Sequence, residues 1–329
     1  LYGEWTEAAI RAATEAVQRE TIRAYYAAVL SEHLLAVNQN ALATAEQQLE
    51  NVQARRRQGM SSNYDGLRAQ VEVSNFRAQV LQARNDRDVA YTALYRLMGA
   101  SPESAAELVD EVPLVAEEIS FAEAARTALE RRADLAVAEY ALRMQRESVA
   151  VAKSRYLPEV SGYVSQAWAN PDPHDSARDD WGDEWQAGVQ LSLPLFDGFD
   201  RRGALIQERA KLRQLELALR DAEEQAVSEI RQGVLSLKTA EEFAHSQSQN
   251  LETAQEALRL VEAGLKEGQN APIEVMDARQ ALTKASANFY QSIFTHAMAR
   301  VALQQAMGLM SPDVLPDAPV LGGAGSPGE

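Results

Sequence analysis

Residues 40–59 read NALATAEQQLENVQARRRQG, and residues 249–268 read QNLETAQEALRLVEAGLKEG. The two stretches align without a gap at an offset of 209, and the match runs on to Gly99 and Gly308. Leu42, Thr44, Ala45, Leu49, Val52, Ala54, Gly59, Ala69, Ala90, Ala93, Leu94, Met98 and Gly99 recur as Leu251, Thr253, Ala254, Leu258, Val261, Ala263, Gly268, Ala278, Ala299, Ala302, Leu303, Met307 and Gly308. The chain is a tandem duplication. Two copies this long are too few for a solenoid, so the pattern predicts one architecture built twice rather than an open array.

Inside each copy the apolar period is helical. In the second, Ala226, Gly233, Ala240, Ala254 and Val261 fall on one seven-residue series, interrupted by polar Gln247. Ile230, Leu237, Ala244, Leu251, Leu258 and Leu265 form the companion series four residues on. Such heptads specify a coiled-coil seam. Leu205, Leu212 and Leu219 extend the first series backwards, which predicts one helix from about Asp200 to Lys266, on the order of 100 Å long at the α-helical rise. A helix of that length needs a partner beside it. The first copy repeats the pattern with Leu35, Leu42 and Leu49, flanked by Ala45 and Val52.

Each long helix is expected to stop at a glycine-containing turn, Gln58-Gly59-Met60-Ser61-Ser62-Asn63 in one copy and Glu267-Gly268-Gln269-Asn270-Ala271-Pro272 in the other. Glycine past a helix end, then serine or proline at the next start, are stop and start signals, and a return helix of about 35 residues should follow. The product is two helical hairpins, whose recurrent small residues let the arms approach closely.

Between the copies, residues 101–120 are richer in proline and acid, a short helix is expected from about Phe121 to Arg132, and another from Asp134 to Arg155. The period then changes to two. Trp185, Ala187, Val189, Leu191 and Leu193 alternate with Gln186, Gly188, Gln190 and Ser192, and Val160, Gly162, Val164 and Trp168 alternate with Glu159, Ser161, Tyr163 and Ser165. This predicts a hairpin of two strands of about 10 residues, each with one apolar and one wet side, the length that crosses a membrane in a barrel. Trp168, Trp181 and Trp185 sit at its loop end, as membrane-interface aromatics or as a small soluble core. The loop carries Asp172, His174, Asp175, Asp179, Asp180 and Asp183; calcium-loop spacing is missing, so a solvated acidic loop is expected and no metal.

These signals divide the chain into a first helical repeat (1–100), a connecting region (101–133), a helix leading to the strands (134–156), a β-hairpin with its loop (157–198), a second repeat (199–308) and a tail (309–329) expected to be disordered. The fold class is mainly α: long antiparallel coiled-coil hairpins in two tandem repeats with one transmembrane β-hairpin.

Composition narrows function. The 32 basic and 48 acidic residues give a net charge of −16, so nucleic acid is not an expected partner; the densest basic run, Arg55 to Arg57, reads as a solvated helix end. With no cysteine there is no disulfide, thiolate metal site or cysteine nucleophile. No window holds the ~20 apolar residues of a spanning helix, and Leu1-Tyr2-Gly3-Glu4-Trp5 lacks the features of a signal peptide. His33, His174, His245 and His296 are scattered, with no phosphate-cradling loop or nucleophile elbow, so neither an enzyme nor a cofactor is expected.

In order, the strand pair, Leu193-Pro194-Leu195-Phe196-Asp197-Gly198, the long helix, the glycine turn, Ile273-Glu274-Val275-Met276-Asp277-Ala278-Arg279 and a return helix ending Ala306-Met307-Gly308 resemble the TolC-like outer-membrane factors. Ser154-Arg155-Tyr156-Leu157-Pro158 also resembles that family's entry into its β-hairpin. The resemblance implies a homotrimer in the outer membrane of a Gram-negative bacterium. Each protomer would give two β-hairpins to a lipid-facing barrel and two helical hairpins to a periplasmic tunnel. It would be a passive duct for efflux or type I secretion, working with a periplasmic adaptor and an inner-membrane pump. One hairpin is recognisable here, so a signal sequence and a first strand pair are expected before Leu1 and the chain reads as N-terminally truncated. The family pattern puts a carboxylate ring at the periplasmic constriction, and the matching positions are Glu274 and Asp277; the other reading of both is acids favoured at a helix start. Their first-copy equivalents are Asp65 and Arg68, so the two tips differ chemically. Adaptor docking is expected at Gly59, Met60, Ser61 and Ser62 and at Gly268, Gln269, Asn270 and Ala271. Two further classes remain open from sequence: a soluble coiled-coil interaction protein, which leaves the strand pair unexplained, and a periplasmic adaptor, which needs more strand sequence.

Overall fold

A computed structural model describes residues 1–101, 108, 119–171, 179 and 181–310. Its elements run α1 (Tyr2–Arg57), α2 (Asn63–Met98), α3 (Phe121–Arg131), α4 (Ala133–Ser154), β1 (Glu159–Ala169), β2 (Gly182–Ser192), α5 (Asp200–Lys266) and α6 (Pro272–Ala306). The mainly helical fold with a single described strand pair is the one expected, and the 67-residue α5 has the bounds read from its heptads. All of the expected tail but Leu309 and Met310, most of 101–120, and Asp172, His174, Asp175 and Asp180 of the acidic loop lie outside the described residues.

The chain forms two compact units. One holds residues 10–133 and 225 onward. Here α1 and α2 pack along the predicted seam: Leu35 closes on Val80 and Ala83, and Ala45 on Val73 and Phe76, all buried. The second repeat buries Ala226, Ile230, Leu237, Ala240 and Ala244 of α5, the two heptad series read from sequence. Ile230 and Leu237 meet Leu303 of α6 and the two small residues Ala124 and Ala128 of α3, so the short connecting helix caps one end of the second seam. Alanine at these α3 positions allows the close approach that excludes water from the leucines. The Arg231 guanidinium lies over the Phe121 ring, 4.8 Å from its centroid, and Arg132 is paired with Glu229 at 2.6 Å.

The other unit holds residues 1–9 and 134–224, including α4 and the β-hairpin. The strands pair antiparallel from Glu159↔Ser192 to Ala169↔Gly182. This register puts Val160 opposite Leu191, Gly162 opposite Val189 and Val164 opposite Ala187, so the apolar faces of the two strands coincide. A one-residue slip would have mixed them. Both faces are open: Val164 and Val189 on the apolar face are 80% and 79% exposed, and Tyr163 on the other is 49% exposed. On the polar face the Tyr163 ring lies over Gly188, where a Cβ would come within 2.7 Å of the phenol oxygen. Among the described residues no helix is long and apolar enough to cross a membrane.

Candidate functional site

The two helical turns are built by the same bonds. In the first, the Gly59 N–H donates to Arg56 O and the Met60 N–H to Arg55 O, both at 2.9 Å. In the second, Gly268 N–H donates to Leu265 O at 3.2 Å and Gln269 N–H to Gly264 O at 2.8 Å. Both are Schellman closures that absorb the last carbonyls of the helix, and both need a left-handed residue, supplied by Gly59 and Gly268 at φ 76° and 77°. The duplication has therefore kept the backbone chemistry of the tips.

Their restarts differ. Ser62 caps α2: the Asp65 N–H donates to Ser62 Oγ at 3.1 Å, and the Ser62 N–H returns a bond to Asp65 Oδ2 at 2.9 Å. The Ser61 hydroxyl also donates to Oδ2, at 3.1 Å. The Ser62 hydroxyl, then the Ser62 N–H, then Ser61 hold the Asp65 carboxyl below the usual range. In the second tip Ala271 has no side-chain acceptor, and only the return half of the box survives. Glu274 Oε2 accepts from the Ala271 N–H at 3.0 Å and from the Asn270 amide at 2.8 Å. Pro272 opens α6 without needing a donor. Ser62→Ala is therefore expected to cost about 1 kcal/mol in thermal unfolding, and Ala271→Ser to recover a similar amount at the other tip. The pair is measured by circular dichroism melts.

Glu274 and Asp277 lie about one turn apart at the start of α6, both exposed. Glu274 performs the helix-start role that was one of its two readings. Asp277 has a partner on α2: the Arg68 guanidinium, 3.6 Å away. Arg68 and Asp277 are the same position of the two repeats, so the duplicated site has taken opposite charges and pairs with itself. Deeper along the same helices, Arg279 binds Glu262 of α5 at 2.7 Å, and Glu72 of α2 is buried. Sequence reasoning missed Glu72, Glu262 and Arg279. The Arg68 pairing had a signal in the offset of 209; Glu72 had none, since an acid on a long helix reads as surface.

At the hairpin, Trp168 and Trp185 share the apolar face, Trp168 opposite Asp183 and Trp185 opposite Gln166. Trp181 stands just before β2, and all three are exposed. They do not close a core within this chain. Below the strands, Asp197 Oδ2 accepts from the Arg201 backbone N–H at 3.1 Å and from its Nε at 2.6 Å. The same guanidinium covers the Tyr156 ring at 5.1 Å, and Arg155 pairs with Asp200 at 2.9 Å. The segment leading into the hairpin and the one leading out are thus clamped together. No group of acids and histidines that could hold a metal ion occurs among the described residues.

The family model described as "Outer membrane efflux protein" matches residues 4–100 and 124–309. Outer membrane protein TolC of Vibrio cholerae is 24% identical over 297 residues, covering 88% of this chain and 67% of its own. Outer membrane protein OprJ of Pseudomonas aeruginosa is 24% identical, covering 92% of this chain and 63% of its own. The chain thus spans about two thirds of the length of these relatives. The solved structure of VceC from Vibrio cholerae superposes with a TM-score of 0.79 at 18% identity, over 93% of this chain and 72% of VceC. The soluble coiled-coil and adaptor readings do not account for a match that takes in both repeats and the strand pair between them. On that match the chain belongs to the outer membrane efflux protein family.

Proposed function

We propose that the chain is the greater part of one protomer of a trimeric outer-membrane duct, which exports cargo passively with a periplasmic adaptor and an inner-membrane pump. One observation carries this reading: a β-hairpin with an apolar face open to its surroundings is joined to two helical hairpins ending in matched turns. The apolar face suits outer-membrane lipid, with Trp168, Trp181 and Trp185 at the headgroup level. The turns at Gly59–Ser62 and Gly268–Ala271 are the docking points for the adaptor. No step of the transport asks for chemistry from the chain; the pump supplies the work and chooses the cargo. In cells expressing the full-length gene, the protein should fractionate with the outer membrane, and recovery in the cytosol would sink the proposal.

Three copies of Glu274 and Asp277 about the axis would focus a negative potential at the constriction. The Arg68 partner offsets part of it. Replacing both acids, Glu274→Gln with Asp277→Asn, keeps an acceptor for the Ala271 N–H while removing the charge. Block of the planar-bilayer current by divalent cations is expected to weaken about tenfold. Unchanged block would count against the ring.

A further inference from the structure

Glu72 is 8% exposed, on the face of α2 one turn beyond Arg68. Three charged groups act on it: Arg68 from its own helix, and Arg279 and Asp277 from α6. Each arginine already has a carboxylate, Arg68 with Asp277 at 3.6 Å and Arg279 with Glu262 of α5 at 2.7 Å. Glu72 is the surplus charge. Ionised, it makes three carboxylates against two guanidiniums; protonated, it leaves two against two. Its repeat mate is Ala281, so the seam itself does not require an acid there.

We propose that Glu72 is a proton-operated latch between the two helical hairpins near their tips: taking up a proton favours the packing of α2 against α6, and losing it favours their parting. Burial is the largest influence and pushes its carboxyl up; Arg279 and Arg68 pull it back by less, and Asp277 adds to the rise. The packed state therefore binds the proton more tightly than a parted state in which Glu72 meets water. Its contribution to packing is fully present below the ordinary glutamate range and is lost as pH rises through the raised value. Acid tightens the tips and alkali loosens them.

The latch stands on the geometry of this chain, and only its consequence, a duct that closes more firmly in acid, rests on the proposed function. Hydrogen exchange on the full-length protein tests it. After correction for intrinsic rates, the amides of 63–80 and 272–285 should be better protected at about pH 5 than at about pH 8, by up to about tenfold for each unit the carboxyl is raised. Glu72→Gln should show the acid-level protection at both pH values, and Glu72→Ala, copying the second repeat, should also lose the dependence. Wild-type protection indifferent to pH, or a Glu72→Gln variant that keeps the wild-type dependence, would overturn the latch. Conductance recorded over the same range separates the two proposals: a pH response in exchange with no channel current would leave the latch standing and remove the duct.

Discussion

Leu303→Ala is expected to destabilise the chain by about 2–5 kcal/mol in urea unfolding followed by circular dichroism. Leu303 is fully buried where α3, α5 and α6 meet, against Ala124, Ala128, Ile230 and Leu237. Its Cδ1 fills a notch on α5 at Gly233: a Cβ built there would lie 3.0 Å from that atom. The notch has backbone walls, so it cannot collapse onto the space a leucine leaves, which favours the upper part of the range. The same geometry supplies a sign test. Gly233→Ala alone overpacks the site and should cost about 1–3 kcal/mol. In the Leu303→Ala background its methyl meets only the Cα and Cβ of residue 303, at an ordinary 3.6 Å, and the second substitution should cost nothing or restore stability. Equal costs in both backgrounds would mean that Leu303 is not seated in the notch.

The helical part of this fold was open to reading because its signals repeat. Ile230, Leu237 and Ala244 recur every seven residues and are buried, and Gly268 ends the series where α5 ends. The hairpin was readable for a related reason: two alternating runs of matched length leave one register in which their apolar faces coincide along the whole of both strands. Its outer end was less so. The ladder continues to Ala169↔Gly182, past the alternation that begins at Glu184, because backbone pairing there needs no apolar side chain. The role of α3 in closing the second seam was also hidden: Phe121, Ala124, Ala125, Ala128 and Leu129 mark an apolar face, but which seam that face covers is a tertiary fact.

The candidate site was legible in its positions and less so in its bonds. The glycine turns mark both tips, yet the capping role of Glu274 depends on Ala271 and Asn270 presenting their N–H groups to one carboxylate oxygen. The charge opposition of Arg68 and Asp277 follows from aligning the repeats. That the two meet across α2 and α6 is a tertiary fact, and so is the withdrawal of Glu72 from solvent.

The second large effect is expected at Gly308, with Gly99 as its built-in control. Both glycines end a return helix at equivalent repeat positions, with φ 69° and 66°. The bonds match as well: Leu309 N–H donates to Gln304 O at 2.9 Å, and Ala100 N–H to Tyr95 O at 3.0 Å. Alanine in this left-handed conformation costs about 1–2 kcal/mol, so Gly99→Ala, with no described atom within 4 Å of the new methyl, should lose about that much. At Gly308 the methyl would stand 2.9 Å from Arg131 C and from Arg132 N. These are backbone atoms and cannot rotate aside, and Arg132 is tied further by its 2.6 Å bond to Glu229. Adding about 1–3 kcal/mol of overpacking, Gly308→Ala should lose about 2–5 kcal/mol in the same urea assay. The excess over Gly99→Ala measures how rigidly the joint between α3 and α4 is held against the end of α6. Equal losses would show that the joint yields, and that glycine is needed at 308 for its backbone angle alone.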